Sequence, residues 1–125
     1  LPDWQPYINA AETMALALIV IDYRTVDRDV QRILDNATGV FYDDFSKRAA
    51  DFAQVVRDAQ SSSTGTVTDS RLESHSNGQA RVLVTVSAAT TNVGQPDPPS
   101  RVWRLRITEQ KIGDTYKASN VEFLT

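Results

Sequence analysis

The spacing of apolar residues changes once along this chain, near residue 61, and that change restricts the fold more than any other feature. Up to Gln60 the apolar positions recur at helical spacing; from Thr66 they alternate with polar ones. Neither half could bury its apolar face alone, so the two must pack on each other within one domain. The pattern predicts an α+β fold, with three helices packed on a four-stranded antiparallel sheet. Residues 7–60 are read as helical and 64–125 as sheet, one domain over 1–125.

The helical half is punctuated twice. The first helix is expected from about Tyr7 to Asp22, carrying the apolar run Met14–Ile21. Thr25 reads as an N-cap, with Asp27 and Asp29 behind it where a helix N-terminus favours negative charge. Val26, Val30, Ile33, Leu34 and Ala37 form the stripe of a second helix, about Asp27–Asn36. Gly39 then suits a left-handed cap. Phe41, Phe45, Ala49, Phe52, Val56 and Ala59 form the stripe of a third helix, about Val40–Gln60.

The strand half predicts four strands. Val67 and Leu72 disagree in parity, as do residues on either side of Ser119–Asn120, so a bulge is expected at each place. Asn77-Gly78 predicts a type I′ hairpin turn. Pro96, Pro98 and Pro99 exclude a strand between Gly94 and Ser100. Ala80, Val82, Val84, Val86 and Ala88 share one face of a strand, and Trp103, Leu105 and Ile107 one face of the next.

Composition removes several function classes. The chain has 125 residues, a formal net charge of -3 and no cysteine. A net acidic chain lacks the clustered cations that bind phosphate backbones, so nucleic acid is not expected as a partner. Without cysteine there is no disulfide, thiolate nucleophile or cysteine-ligated zinc. Met14–Ile21 is too short to span a bilayer, which needs ~20 apolar residues. The start Leu1-Pro2-Asp3-Trp4 is not a basic leader and lacks an initiator methionine, so the sequence reads as a piece of a longer protein.

Chemistry-bearing motifs are sparse. His75 is the only histidine; it flanks the Asn77-Gly78 turn between two serines and is read as a bystander. Asp27 and Asp29, and Asp43 and Asp44, are read as first-turn acids that offset helix dipoles, and their spacing does not fit a calcium loop. No phosphate loop, nucleophile elbow or zinc motif is present. No catalytic residue, cofactor or metal ligand is therefore assigned. Arg81, Arg104 and Arg106 are expected on the outer sheet face, a surface for an acidic partner or anionic headgroups, partly neutralised by Glu73, Glu109 and Glu122. Asp22, Tyr23, Phe41, Trp103 and Tyr116 are the candidates for a pocket between helices and sheet.

The ordered set Ile21-Asp22-Tyr23-Arg24-Thr25-Val26-Asp27, Ile33-Leu34-Asp35-Asn36-Ala37-Thr38-Gly39 and Phe41 with Phe45 resembles the Mce-associated membrane proteins of actinobacteria. Ser63–Val67, Ala80–Val84 and Arg104–Ile107 resemble that family's strands. The match departs at Ile21, where the family has tyrosine, and at Tyr116, where it usually has tryptophan. The resemblance implies a cone-shaped domain like nuclear transport factor 2, also called SnoaL-like. It implies a single-pass protein of the plasma membrane, anchored upstream of Leu1, with this domain on the extracytoplasmic side. It implies a non-catalytic accessory role, stabilising or assembling a lipid-importing Mce complex. The implied partners are Mce subunits or their permease, and lipid contact is compatible with the role. Two other readings stand beside it: a SnoaL-like small enzyme or ligand-binding domain whose pocket uses Phe41, Trp103 and Tyr116, and a dimerisation module.

Overall fold

Helices α1 (Gln5–Ile19), α2 (Val26–Asp35) and α3 (Gly39–Ala59) precede strands β1 (Ser62–Ser76), β2 (Gln79–Thr91), β3 (Arg101–Ile112) and β4 (Thr115–Phe123) in a computed structural model that describes residues 3–95 and 97–124. The strands form one antiparallel meander, in the order β1-β2-β3-β4, with the helices on one face. The expected α+β architecture is thus present. Leu1, Pro2, Pro96 and Thr125 lie outside the described residues.

α1 is apolar on several sides because it is enclosed: Tyr7, Ala11, Met14, Ala15, Ala17 and Ile19 are all buried. It begins two residues earlier than expected, with Pro6 in its first turn, where the missing N–H costs nothing. It also ends earlier, at Ile19 rather than Asp22. The next residues are claimed by β1: Ser63 donates its N–H to the Ile21 carbonyl, Tyr23 donates to Ser61, and Asp22 bridges Ser62. A ladder with a strand start outcompetes one more helical turn.

The closed core lies between α1, α2 and the two middle strands. Met14, Ile33, Val82, Val84, Val86, Leu105 and Ile107 are its largest fully buried apolar side chains. α2 adds Val26 and Val30 from its stripe. The link from α2 to α3 zips onto the outer edge of β4: Ala118 donates to the Asn36 carbonyl and Thr38 donates to Ala118. That pairing covers a strand edge that would otherwise be open.

Irregularities fall where parity fails in the sequence. β1 shifts register between Val67 and Asp69 and again between Leu72 and Ser74. β4 carries an extra residue, Ser119, opposite the Thr108–Glu109 step of β3. Gly39 has φ +58, the left-handed conformation expected of it. The hairpin between β1 and β2 turns at Asn77-Gly78, but only Gly78 has positive φ, so the turn is not type I′.

Asp27 and Asp29 lie in the first turn of α2 as expected, but two other expectations for the helix starts are corrected. Thr25 makes no side-chain cap to its helix; its hydroxyl donates instead to the Asp29 carboxylate. Asp43 and Asp44 lie beyond the first turn of α3, because the helix starts at Gly39.

Candidate functional site

α3 does not close over the sheet. Of its long apolar stripe only Ala53 and Val56 are buried. Phe41, Phe45 and Phe52 are only partly covered, and Phe123 on the facing strand is half exposed. α3 leans on α2 at one side and on β4 at the other, while α1 takes the middle of the sheet. The space left between is an apolar groove. One part, about 320 Å³, is bordered by Leu18, Val40, Phe41, Phe45, Phe52, Val121 and Phe123, with Asp44 and Arg48 at its rim. The second, about 310 Å³, shares Leu18, Phe52 and Phe123 and continues past Val56 to Trp103 and Thr90.

The rings are arranged as a chain. Phe41 and Phe45 have centroids 5.9 Å apart, as do Phe45 and Phe52. Trp103 and Phe123 meet edge to face at 5.7 Å. Val84 is in the core; the phenylalanines line a groove beside it.

Of the five pocket candidates, Phe41 and Trp103 border the two parts of this groove, and the other three lie elsewhere. Asp22 clasps the corner between α1 and α2. Its carboxylate accepts from the Arg24 backbone N–H at 2.8 Å, from the Arg24 guanidinium at 2.6 and 2.9 Å, and from the Ser62 hydroxyl at 2.8 Å. The Arg24 hydrogen bonds hold that carboxyl well below the usual range, which unsuits it as a general base. Tyr23 carries the Arg24 guanidinium over its ring at 5.4 Å and borders a shallow depression with Thr25, Asp27 and Arg57.

Tyr116 stands at the far end of the sheet, in an aromatic cluster. Trp4 stacks on His75 at 4.0 Å, and Tyr7 meets Tyr116 edge to face at 4.9 Å. His75 is thus a packing partner of the N-terminal aromatic, a role its place beside a turn did not suggest. Trp4 folds back on the domain.

One chemically significant residue was misplaced by the sequence reading. Glu109 was expected on the outer face, neutralising arginines. It is 1% exposed, and neither carboxyl oxygen has a hydrogen-bond partner. Trp103, Leu105 and Ile107 point inward, and Glu109 continues that alternation, so strand parity was the signal that could have found it. Its strand partners are Ala80 and Ala118. Burial pushes the carboxyl up to about 8, so it is neutral over most of the acidic range. Glu109 borders neither part of the groove nor the aromatic depression around Trp4 and Tyr116.

The basic residues do share the outer face. Arg106 is committed within the chain: Glu73 accepts from it at 2.8 and 3.2 Å, and Glu122 lies at 3.6 Å. Glu73 is held below the ordinary carboxylate range chiefly by that hydrogen bond. Arg81 and Arg104 are exposed and make no ion pair among the described residues. No metal-binding cluster of acids and histidine occurs among the described residues, and no described helix is long and apolar enough to cross a membrane.

Comparison with known proteins places this geometry. A family model described as uncharacterized protein Rv1363c/MT1408-like matches residues 4–125. The chain is 42% identical over 119 residues to the uncharacterized protein Rv1363c of Mycobacterium tuberculosis, covering 94% of this chain and 45% of that protein. The chain therefore spans about half the length of this curated relative. Among solved structures, the periplasmic domain of DotI is similar with a TM-score of 0.73 at 11% identity, over 99% of this chain and 96% of that one. CagV, a VirB8 homolog of the type IV secretion system of Helicobacter pylori, is similar with a TM-score of 0.71 at 8% identity, over 95% and 96%. An Ntf2 like protein involved in plasmid conjugation is similar with a TM-score of 0.62 at 14% identity, over 97% of this chain and 48% of that one, and at such identities the likeness is one of fold, nuclear transport factor 2-like.

Proposed function

The chain belongs to the Rv1363c/MT1408-like family, and on that premise we propose that it is a non-catalytic accessory domain of a cell-envelope assembly. The observation that carries this reading is the chemistry of the groove. Its walls are mostly aliphatic and aromatic, with Asn120, Ser61, Ser63 and Thr90 as uncharged polar lining, and its charged lining residues, Asp44 and Arg48, are exposed at the rim. The buried or strongly perturbed acids lie elsewhere, Asp22 in its clasp with Arg24 and Ser62 and Glu109 bordering neither part of the groove, and the one acid in the lining, Asp44, is exposed to solvent. An acid-base mechanism needs its group within hydrogen-bond reach of substrate. The similar folds of DotI, a periplasmic domain, and CagV, a secretion-system protein, support an extracytoplasmic scaffolding role.

The assembly we propose is an Mce-type lipid-import complex, on the strength of the ordered motifs from Ile21 to Phe45. In this reading the full-length protein is anchored in the plasma membrane with this domain outside. Arg81 and Arg104 are the cations free to meet an acidic partner subunit. The test is alkaline carbonate extraction and protease accessibility in spheroplasts, followed by crosslinking and pull-down of the full-length protein. The expected result is an integral protein with a protease-accessible domain that brings down Mce subunits or their permease. A full-length protein soluble in the cytosol, with no Mce subunit in the pull-down, would overturn it.

A further inference from the structure

We propose that the groove between α3 and the sheet is a binding site for a single-chain anionic amphiphile of the fatty-acid class, its carboxylate on Arg101 and its tail along the phenylalanines. This inference does not depend on the assembly role. The groove is elongated rather than round. From Phe41 to Val56 a helix rising ~1.5 Å per residue spans ~22 Å. An acyl chain of one leaflet spans about half of a ~30 Å hydrocarbon core, so one such chain fits lengthwise. Most of the lining suits a tail: Leu18, Phe41, Phe45, Phe52, Val121 and Phe123 offer no hydrogen-bonding side-chain group, while the polar lining residues are Asn120 in the first part and Ser61, Ser63 and Thr90 in the second, beside Trp103.

The two ends differ in charge, and that fixes the orientation. At one end Arg48 makes no ion pair among the described residues, but Asp44 stands a single turn away on the same rim, and its negative charge would repel a carboxylate there. At the other end Trp103 borders the groove, and the Arg101 guanidinium, outside the lining itself, lies 3.8 Å from the Trp103 ring centroid on the same face of β3, opposite buried Ala88. Arg101 makes no ion pair among the described residues. A guanidinium laid flat on an aromatic wall keeps its edge N–H groups for a carboxylate. Leaving so much aromatic surface in water is unfavourable at roughly 25 cal/mol per Å² of apolar area, which a tail would relieve.

Trp103 reports on the site. In the 125-residue chain with Trp4→Phe, Trp103 is the sole tryptophan, and its fluorescence is followed while palmitate is added below its micelle concentration. Hexadecanol and octanoate are titrated in parallel. The expected result is saturable binding of palmitate near one per chain, with hexadecanol and octanoate each weaker by about tenfold or more, the factor that ~1.4 kcal/mol makes. Arg101→Gln should remove the preference for palmitate over hexadecanol while leaving hexadecanol binding unchanged. Phe45→Ser should weaken both, with circular dichroism confirming that the fold is kept. Absence of a saturable change would overturn the proposal, as would equal binding of acid and alcohol by the unaltered Arg101. So would sedimentation showing a dimer in which the groove is filled by a second copy.

Discussion

Glu109 should make this domain lose stability as pH rises through neutrality, the reverse of what most carboxylates do. In the folded state the carboxyl keeps its proton up to about pH 8, because burial between Ala80 and Ala118 penalises the charged form. In the unfolded chain the same group ionises near its ordinary 4.5. Between those values the unfolded state binds fewer protons than the folded one, so stability falls with rising pH. At ~1.36 kcal/mol per pH unit the full span is worth about 5 kcal/mol, and the part between pH 5 and 7.5 about 3 kcal/mol. Below pH 4.5 the group exerts no pH dependence, and above 8 the loss is complete. Asp22 and Glu73 are depressed and act with the opposite sign, but only on the acid side of the ordinary carboxylate range. Urea unfolding followed by circular dichroism at pH 5, 6, 7 and 8 measures the slope, with a constant m-value confirming that one transition is compared. Glu109→Gln keeps the shape and removes the titration. The variant should match the wild type near pH 4.5 and exceed it by about 3 kcal/mol at pH 7.5. A wild-type-minus-variant difference that stays flat from pH 5 to 7.5 would refute the reasoning, because a buried, unpartnered carboxyl has to titrate late.

Gly39→Val should cost about 1–2 kcal/mol in the same assay and Gly39→Asn distinctly less; φ is +58 and the nearest atom to a new Cβ is 3.9 Å away, so the cost is conformational rather than steric. His75→Ala should lower stability by about 0.5–1.5 kcal/mol through its stacking on Trp4, and should release no metal on analysis by plasma emission. Asp29→Ala should cost about 2–3 kcal/mol, since its carboxylate accepts from the Asp22 N–H and the Thr25 hydroxyl at 3.0 Å each, whereas Asp27→Ala, which removes an exposed pair with Arg57, should cost under about 1 kcal/mol. Asp22→Asn should lower the melting temperature at pH 7 and flatten the fall in stability below pH 4, because its depressed carboxylate contributes only while ionised.

Much of the fold is legible in local pattern. The change of period near residue 61, Gly39 and the parity breaks at Val67/Leu72 and Ser119/Asn120 each have one economical explanation, and the structure uses it. The C-terminal end of α1 is not legible, because Ile21, Asp22 and Tyr23 are drawn into pairing with Ser61–Ser63, forty residues away in sequence. The acids of the α1–α2 corner misled for a related reason. Asp27 and Asp29 look alike beside a helix start, yet one is exposed on a surface pair and the other is buried, tying Thr25 to the Asp22 backbone. The candidate pocket was legible only in part: periodicity puts Phe41 on an inward stripe and Trp103 on an inward face, but not how far apart the two surfaces stand.

That separation follows from how the sheet face is shared. α1 occupies the middle of the sheet with small residues, Ala11, Ala15 and Ala17, which let it approach the valines of β2 closely. At Gly65 of β1 there is little room for a side chain: a Cβ there would lie 3.2 Å from Val86 on the neighbouring strand and 3.4 Å from Ile19 and Val20 at the end of α1. Seated that low, α1 closes most of the core, and α3 contributes only Ala53 and Val56 to it. α3 is left to rest on the rims, on α2 and β4, with a row of phenylalanines larger than the closed core requires. A sequence selected for stability alone would have shortened those side chains or drawn the helix in. Glu109, sealed at the opposite end of the same sheet face, is a second local choice that disfavours the fold at neutral pH. The groove is where the structure offers a return for such a cost, since an apolar wall with an unpaired guanidinium at one end is suited to a ligand and unsuited to water.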